Sequence, residues 1–155
     1  MGAEVSVAVR PEVAASGLPI DRGLLHGHLE RSIAHLPRPV ARVHVEIVGD
    51  REMDRLHRVH SGIPGTTDVL TFPGHREGEP IDVDIVACAD EAARRAAEFG
   101  HGIDRELLLY ALHGLLHCCG HDDHEPAAHG RMHAEEDRIL RALGVGATFR
   151  PEGSP

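Results

Sequence analysis

Lysine and long apolar runs are absent from this chain of 155 residues, and cysteine is scarce. All sixteen cationic side chains are arginine, which suits two-point contacts with phosphate and is equally compatible with a base-composition bias in the encoding genome. Three cysteines, two of them adjacent, cannot form a disulfide framework. No stretch approaches the ~20 apolar residues that cross a bilayer, and the N-terminus has no apolar run of signal-peptide length. We therefore expect a cytoplasmic protein without a membrane role.

The net charge and the length of the chain further limit the class of protein. A formal net charge of −9 argues against a protein that coats nucleic acids generally, because phosphate binding relies on positive charge. Any RNA contact must be confined to a local patch. With 41% hydrophobic residues, the chain can bury a core without disulfides. We expect one domain over residues 1–155, with a disordered tail at 150–155.

Hydrophobic periodicity predicts four strands and about five helices. Period-two alternation or a short apolar run between turn signals marks strands at residues 4–9, 41–48, 68–72 and 81–87. Helices are expected after a cap at Asp21, after a cap at Asp50, over residues 90–99, after a cap at Asp104, and from Pro126 to the residue before Gly144.

The helix after Asp50 carries a stripe of arginines. Arg51, Arg55 and Arg58 lie opposite the apolar Met53 and Leu56 at helical spacing. We predict that Arg55 and Arg58 contact the RNA backbone. The alternative is a merely solvated helix face.

The strongest cluster of metal-binding side chains begins with His113 and His117. Two histidines four residues apart on a helix lie on one face and can reach the same ion. Gly120 tolerates the left-handed conformation in which helices commonly end, so the chain can turn back toward that ion. A third ligand then comes from Asp122, Asp123 or His124.

Zinc is the ion this donor set favours, with an open coordination position as in catalytic sites. The residue after His113 is glycine, so the His-Glu-x-x-His motif of metallopeptidases is absent. Phosphodiester cleavage depends less on a nearby carboxylate base, because the metal polarises the phosphate or lowers the pKa of bound water. The sequence therefore favours a nuclease over a minimal zinc peptidase.

Two sequence runs also resemble a known family. Residues 113–123 resemble the signature His-Gly-x-Leu-His-Leu-x-Gly-Tyr-Asp-His of the YbeY single-strand-specific endoribonucleases, and residues 67–73 resemble that family's Thr-Asp-Val-Leu-Ser-Phe-Pro strand. The resemblance implies an α+β fold: a small four-stranded mixed sheet packed with helices around a central, zincin-like metal-binding helix. It also implies a zinc-dependent endoribonuclease of the cytoplasm that acts on single-stranded RNA, with no DNA substrate. Its partners would be rRNA and the small ribosomal subunit, in 16S rRNA 3′-end maturation and ribosome quality control.

The alignment with the signature is free of gaps and places Asp123 at the family's third histidine. The resemblance thus implies that one Zn²⁺ per chain is held by His113, His117 and Asp123, with His124 as the alternative third ligand. The ion would activate water or polarise the phosphate, and no general base is assigned. The family's arginine before the Thr-Asp-Val strand is replaced by Ser61, which leaves Arg58 to bind phosphate or alters substrate contact.

The remaining candidates have plainer interpretations. Cys118 and Cys119 are expected to act as small hydrophobic residues rather than as thiolate ligands. His129 and His133 form a second pair four residues apart without a third partner at a fixed spacing, and we expect solvated helix residues, with adventitious metal binding as the alternative. Asp68 and Asp84 are expected to be structural hydrogen-bonding residues near the site. A third possible function, besides nuclease and peptidase, is a non-catalytic, metal-binding ribosome-assembly factor.

Overall fold

The computed structural model describes residues 2–121 and 125–145. That part of the chain forms four strands, namely β1 (Glu4–Val9), β2 (Val40–Val48), β3 (Val69–Pro73) and β4 (Ile81–Cys88). It also forms six helices, namely α1 (Pro11–Ala14), α2 (Arg22–Ile33), α3 (Asp50–Ser61), α4 (Ala89–Phe99), α5 (Ile103–Cys118) and α6 (Pro126–Ala142). The predicted α+β class is confirmed, and the short α1 is an addition to it. The expected tail at 150–155 lies outside the described residues, as do Asp122, Asp123 and His124.

The sheet is mixed, in the order β1-β2-β4-β3. Strands β1 and β2 pair in parallel, as do β2 and β4, whereas β3 and β4 are antiparallel. Antiparallel neighbours can be joined by a short connection, which here is the glycine- and proline-containing segment 74–80. Parallel neighbours need a longer crossover, and α2 supplies it between β1 and β2.

The two faces of the sheet are covered differently. On one face, Val83 and Ile85 of β4 belong to the main hydrophobic core together with the leucines of α5. On the other face, Met53 and Leu56 of α3 form a smaller apolar cluster that includes Val86 of β4. Successive side chains of a strand point to opposite faces, so α5 and α3 lie on opposite sides of the sheet.

Helix α5 occupies the main core. All six residues from 107 to 112 are buried, and so are Glu106 and Gly114. Its C-terminal end is closed by Gly120, whose φ is +96°. The N–H of Gly120 donates to the carbonyl of His117 at 3.1 Å, and that of His121 donates to the carbonyl of Leu116 at 3.1 Å. This paired arrangement satisfies carbonyls at the helix end and confirms the predicted turn at Gly120.

The caps show where sequence reasoning succeeds and fails. Asp21 is the N-cap of α2, and its carboxylate accepts a hydrogen bond from the Leu24 N–H at 3.0 Å, as predicted. The cap predicted at Asp104 is wrong, because α5 begins after Gly102. The Asp104 carboxylate instead accepts a hydrogen bond from the N–H of Asp21 at 3.0 Å. The Asp104 side chain therefore makes a tertiary contact with α2 instead of the helix cap that the local sequence pattern predicted.

The cap predicted at Asp50 is also wrong. Gly49 is the N-cap of α3, and Asp50 is the first helical residue. The Asp50 carboxylate accepts two hydrogen bonds from the Arg94 guanidinium of α4, each 2.9 Å long. These hydrogen bonds hold the pKa of Asp50 below its usual value. The side chain therefore links two helices rather than satisfying the end of one.

Candidate functional site

A cavity of about 440 Å³ lies beside α5. Its lining residues come from α4, α5, α6 and the residue before β3: Asp68, Arg95, Phe99, Glu106, Leu109, Tyr110, His113, His129, His133 and Glu136. Three of them, Glu106, Tyr110 and His113, lie along one face of α5. His117, one turn further along, is exposed and is not among these residues.

Glu136 connects two histidines of this cavity. Its side chain is 1% exposed, and it accepts hydrogen bonds from Nδ1 of His133 at 2.8 Å and from Nδ1 of His113 at 3.2 Å. An ionised carboxylate only accepts hydrogen bonds, so each Nδ1 carries the proton and each lone pair lies on Nε2. A carboxylate behind the imidazole is the usual way in which a metal-binding histidine is oriented.

The donor chemistry fits a zinc ion as far as the described residues extend. His113 and His117 are one turn apart on α5, and the Glu136 carboxylate orients His113. Within residues 2–121 and 125–145, no group of three His, Cys, Asp or Glu side chains could hold a metal ion. The third ligand predicted at Asp123, and the alternative His124, lie outside that range, so the described chain supplies two imidazoles.

The second histidine pair differs from the expectation of solvated residues. His129 is exposed, but His133 is half-buried with Nδ1 on Glu136. The Nε2 atoms of His129 and His133 are 2.9 Å apart, and their rings meet edge to face. The expectation is therefore wrong for His133. The sequence could have indicated the contact between His133 and Glu136, because a glutamate three residues after a histidine lies on the same helix face.

Tyr110 brings a hydroxyl to the same cavity. The side chain is buried, and its hydroxyl lies beside the Glu106 carboxylate without a hydrogen bond of good geometry to any described residue. Burial, followed by the negative charge of Glu106, raises the pKa of Tyr110, so the hydroxyl stays protonated. Glu106 itself, 2% exposed, pairs with Nε2 of His101 at 2.6 Å. Tyr110 can thus donate a hydrogen bond to a molecule in the cavity.

The arginines predicted to contact RNA lie elsewhere. Arg55 is paired with Glu52 at 2.7 Å and Arg58 with Asp54 at 3.2 Å, both on the exposed surface of α3. Neither lines the cavity beside α5. Arg95 of α4 does line it, and sequence reasoning missed this residue. Its position follows from the packing of α4 on α5, which no local pattern reports.

The two aspartates expected near the site are separated by the sheet. Asp68 lines the cavity, and its carboxylate accepts a hydrogen bond from the Val69 N–H at 2.8 Å. Asp84 lies on the opposite face of β4, where it pairs with Arg42 at 2.7 Å. Both are structural hydrogen-bonding residues, as expected. The placement of Asp84 near the site is wrong, because strand alternation turns it away from α5.

The cysteines behave as packing residues. Burial raises the pKa of the Cys118 thiol to about 11 and that of the Cys88 thiol to about 12. Burial also raises the pKa of Cys119. Thiols with such pKa values are protonated at neutral pH. Cys88 and Cys118 are buried, as expected of small hydrophobic packing residues.

Gly114 lets α5 approach the sheet closely. A Cβ atom at this position would lie 2.9 Å from Cδ1 of Ile85 and 3.0 Å from Oγ1 of Thr71. Residue 114 therefore points into the sheet rather than toward the cavity. The missing glutamate after His113 has a packing explanation, since a carboxylate placed there could not reach the cavity.

Together, the fold and the site define a small α+β protein built on one central, histidine-bearing helix beside a cavity. The family model described as Endoribonuclease YbeY matches residues 24–144, and this chain belongs to the YbeY endoribonuclease family. An Endoribonuclease YbeY of Chlorobium phaeovibrioides is 40% identical over 106 residues, covering 68% of this chain and 71% of that protein. Another, from an Anaeromyxobacter species, is 41% identical over 126 residues, covering 79% and 65%.

A solved structure has the same fold. The solution structure of TM1509 from Thermotoga maritima matches with a TM-score of 0.60 over 97% of this chain and 99% of that one. The sequences are 20% identical, so this likeness supports the fold alone. None of the described helices is long and apolar enough to span a membrane.

Proposed function

We propose that this protein is a zinc-dependent endoribonuclease specific for single-stranded RNA, acting in 16S rRNA 3′-end maturation and ribosome quality control. Family membership supports the reaction class. The observation that carries the proposal is the orientation of His113 by the buried Glu136 at the edge of the cavity. Such a carboxylate–histidine pair is typical of a metal ligand, and the RNA and ribosomal partners follow from the family.

The zinc ion would be held by His113, His117 and Asp123. When bound, it would supply Lewis-acid stabilisation of negative charge on the phosphate. The carboxylate of Glu136 keeps the proton of His113 on Nδ1 and so presents Nε2 to the ion. Aspartate is a competent oxygen ligand for zinc.

Other side chains of the cavity would position the RNA. The neutral hydroxyl of Tyr110 can donate a hydrogen bond to a ribose or phosphate oxygen. Arg95 brings a positive charge to a lining that also contains Asp68 and Glu106, and a guanidinium can bind phosphate through two N–H groups. With Ser61 at the family's arginine position, Arg95 is a candidate for the phosphate contact, together with the predicted Arg55 and Arg58.

Metal analysis of purified variants tests the ligand set. Zinc should be present at one ion per chain in the parent, and His117→Ala should abolish it. Asp123→Ala should lose most zinc affinity, Asp123→His should recover a good part of it, and His124→Ala should have little effect. The opposite ranking of the last two alanine variants would assign the third ligand to His124. Stoichiometric zinc of ordinary affinity in His117→Ala would refute the site.

An RNA cleavage assay separates the candidate functions. The zinc-loaded parent should cut a single-stranded RNA that carries the 3′ end of a 16S precursor, and should leave DNA of the same sequence intact. Cleavage of peptides instead of RNA would favour a minimal peptidase, which Gly114 already argues against. Zinc binding without turnover of either substrate would indicate a non-catalytic assembly factor.

A further inference from the structure

We propose that His129 and His133 form a second metal site, separate from the one on α5, for a divalent ion of the nickel or copper class. The two residues stand one turn apart on α6, and their Nε2 atoms face each other 2.9 Å apart. The inference is independent of the proposed nuclease activity, because it concerns residues of α6 alone.

The first argument is the orientation of His133. Glu136 Oε1 accepts the Nδ1 proton of His133 at 2.8 Å, so the lone pair on Nε2 points at His129. Without an ion, the 2.9 Å contact is a hydrogen bond in which His129 donates from Nε2. When an ion binds, the proton of His129 moves to Nδ1, and the lone pairs on both Nε2 atoms become available to the ion. Glu136, 1% exposed, anchors one ligand before the ion arrives.

The second argument is the ligand geometry. At a metal–nitrogen distance of about 2.05 Å, two nitrogens 2.9 Å apart subtend an angle of about 90° at the ion. Because the contact is a hydrogen bond in the absence of an ion, the distance shows that both nitrogens can reach one ion with little movement. Imidazole is a good ligand for Ni²⁺ and Cu²⁺, and these ions bind nitrogen ligands more tightly than the earlier divalent metals of the first row do. Because His129 is exposed, water can fill the remaining coordination positions.

The position of the pair beside the cavity decides which variant can test the α6 site. His129 and His133 line the same space as His113, and Glu136 contacts both His113 and His133. The variant that tests the α6 site must therefore leave Glu136 undisturbed. His129→Ala meets this condition, because the His129 side chain hydrogen-bonds to His133, whereas Glu136 hydrogen-bonds to His113 and His133. A change at His133 would alter the hydrogen bonding of Glu136 and, through it, His113.

The experiment is a titration of the metal-free, untagged full chain with NiCl₂ by calorimetry, with bound nickel counted by elemental analysis after dialysis. The parent should bind two ions per chain, and His129→Ala should bind one. The matched control His28→Ala, which removes a histidine of α2 near Arg31, should bind two. Circular dichroism of His129→Ala should match that of the parent, because the side chain is exposed.

The His117→Ala variant distinguishes this inference from the proposed function. If His117→Ala loses one ion and His129→Ala loses the other, both sites exist. If His129→Ala binds as many ions as the parent, the α6 site is refuted while the α5 site stands. If only His129→Ala loses an ion, the α6 site stands and the α5 ligand set is refuted. A parent that binds no nickel refutes the α6 site.

Discussion

The two faces of the sheet differ in how they treat charge. Against α5, the carboxylates of Glu106 and Glu136 are almost completely buried, and each is matched to a histidine. On the opposite face, the pairs that Arg42 forms with Asp82 and Asp84 are half-exposed to water. Ion pairs in water are screened and contribute little, whereas buried groups must be hydrogen-bonded and are therefore fixed in orientation.

The difference shows where function is to be sought in this molecule. The arginine stripe of α3 is conspicuous in the sequence, but Arg55 and Arg58 are exposed. Each forms an ion pair with an acidic residue of the same helix. Both faces carry a cavity, since Arg51, Arg55 and Arg58 line one of about 570 Å³ beside α3. The cavity beside α5 differs because its lining includes two almost completely buried carboxylates, Glu106 and Glu136. Catalysis depends on groups held in a fixed orientation, which favours the α5 face as the site of function.

The largest effect expected from this comparison is on stability. Leu112→Ala, in the fully buried part of α5, should lower the free energy of unfolding by about 3 kcal/mol because it leaves a cavity. Leu56→Ala, half-buried between α3 and the other face of the sheet, should cost about 1 kcal/mol. Urea unfolding of both variants measures the difference. Equal losses would mean that the two faces contribute equally to the core.

A pair of glycines tests the close approach of α5. Gly114→Ala should destabilise the protein by about 1 kcal/mol, because the added Cβ overlaps Ile85 and Thr71. Gly27→Ala, inside α2 with no atom within 4 Å of the added Cβ, should stabilise it by up to about 1 kcal/mol. The same helix-propensity gain applies at both positions, so the control isolates packing. Stabilisation by both changes would show that α5 can move away from the sheet.

RNA affinity separates the arginines of the two faces. Arg95→Ala should weaken binding of a single-stranded RNA about tenfold at low salt, because it removes a charged hydrogen-bond donor from the cavity. Arg55→Ala and Arg58→Ala should also weaken binding, but less, since both side chains lie on the exposed surface of α3, outside this cavity, where salt screens contacts with phosphate. Fluorescence anisotropy at two salt concentrations, with zinc content checked in every variant, provides the measurement. A larger loss from the double α3 variant would place the RNA on that face instead.

The smallest effect concerns pH. The Arg94 hydrogen bonds lower the pKa of Asp50, so the pair stabilises the fold above the unfolded-state pKa of about 4. That contribution is lost as the pH falls through the lower, folded-state pKa. Asp50→Asn should cost less than about 1 kcal/mol at pH 7, because the pair is half-exposed. Unfolding curves measured between pH 7 and pH 3 should show the free energy of unfolding of Asp50→Asn approaching that of the parent as the pH falls.

Asp104 provides a control, because its pKa is shifted in the opposite direction from that of Asp50. Burial raises its pKa, so its ionisation opposes folding as the pH rises above the unfolded-state value. Asp104→Asn should therefore gain stability relative to the parent between pH 3 and pH 7, while Asp50→Asn loses it. If the free energy of unfolding, relative to the parent, changes in the same direction with pH for both variants, the pKa values of Asp50 and Asp104 are not shifted in opposite directions.

Much of the fold was predictable because its signals are local. Alternation in the strands and the side-chain cap at Asp21 depend on residues close in the chain, and they were confirmed. The predicted caps at Asp50 and Asp104 were wrong because Arg94 and the backbone of Asp21, both distant in sequence, hold those carboxylates. A local pattern cannot report a partner that folding brings from another helix.

The site divides in the same way. The spacing of His113 and His117, with Gly120 after them, followed from the amino-acid sequence alone, because one helical turn and one glycine determine that geometry. The buried Glu136 behind His113 and the place of Arg95 in the cavity were decided only by the packing of α6 and α4 against α5. Burial and orientation come from the contacts of the folded chain, and these join residues that no sequence spacing relates.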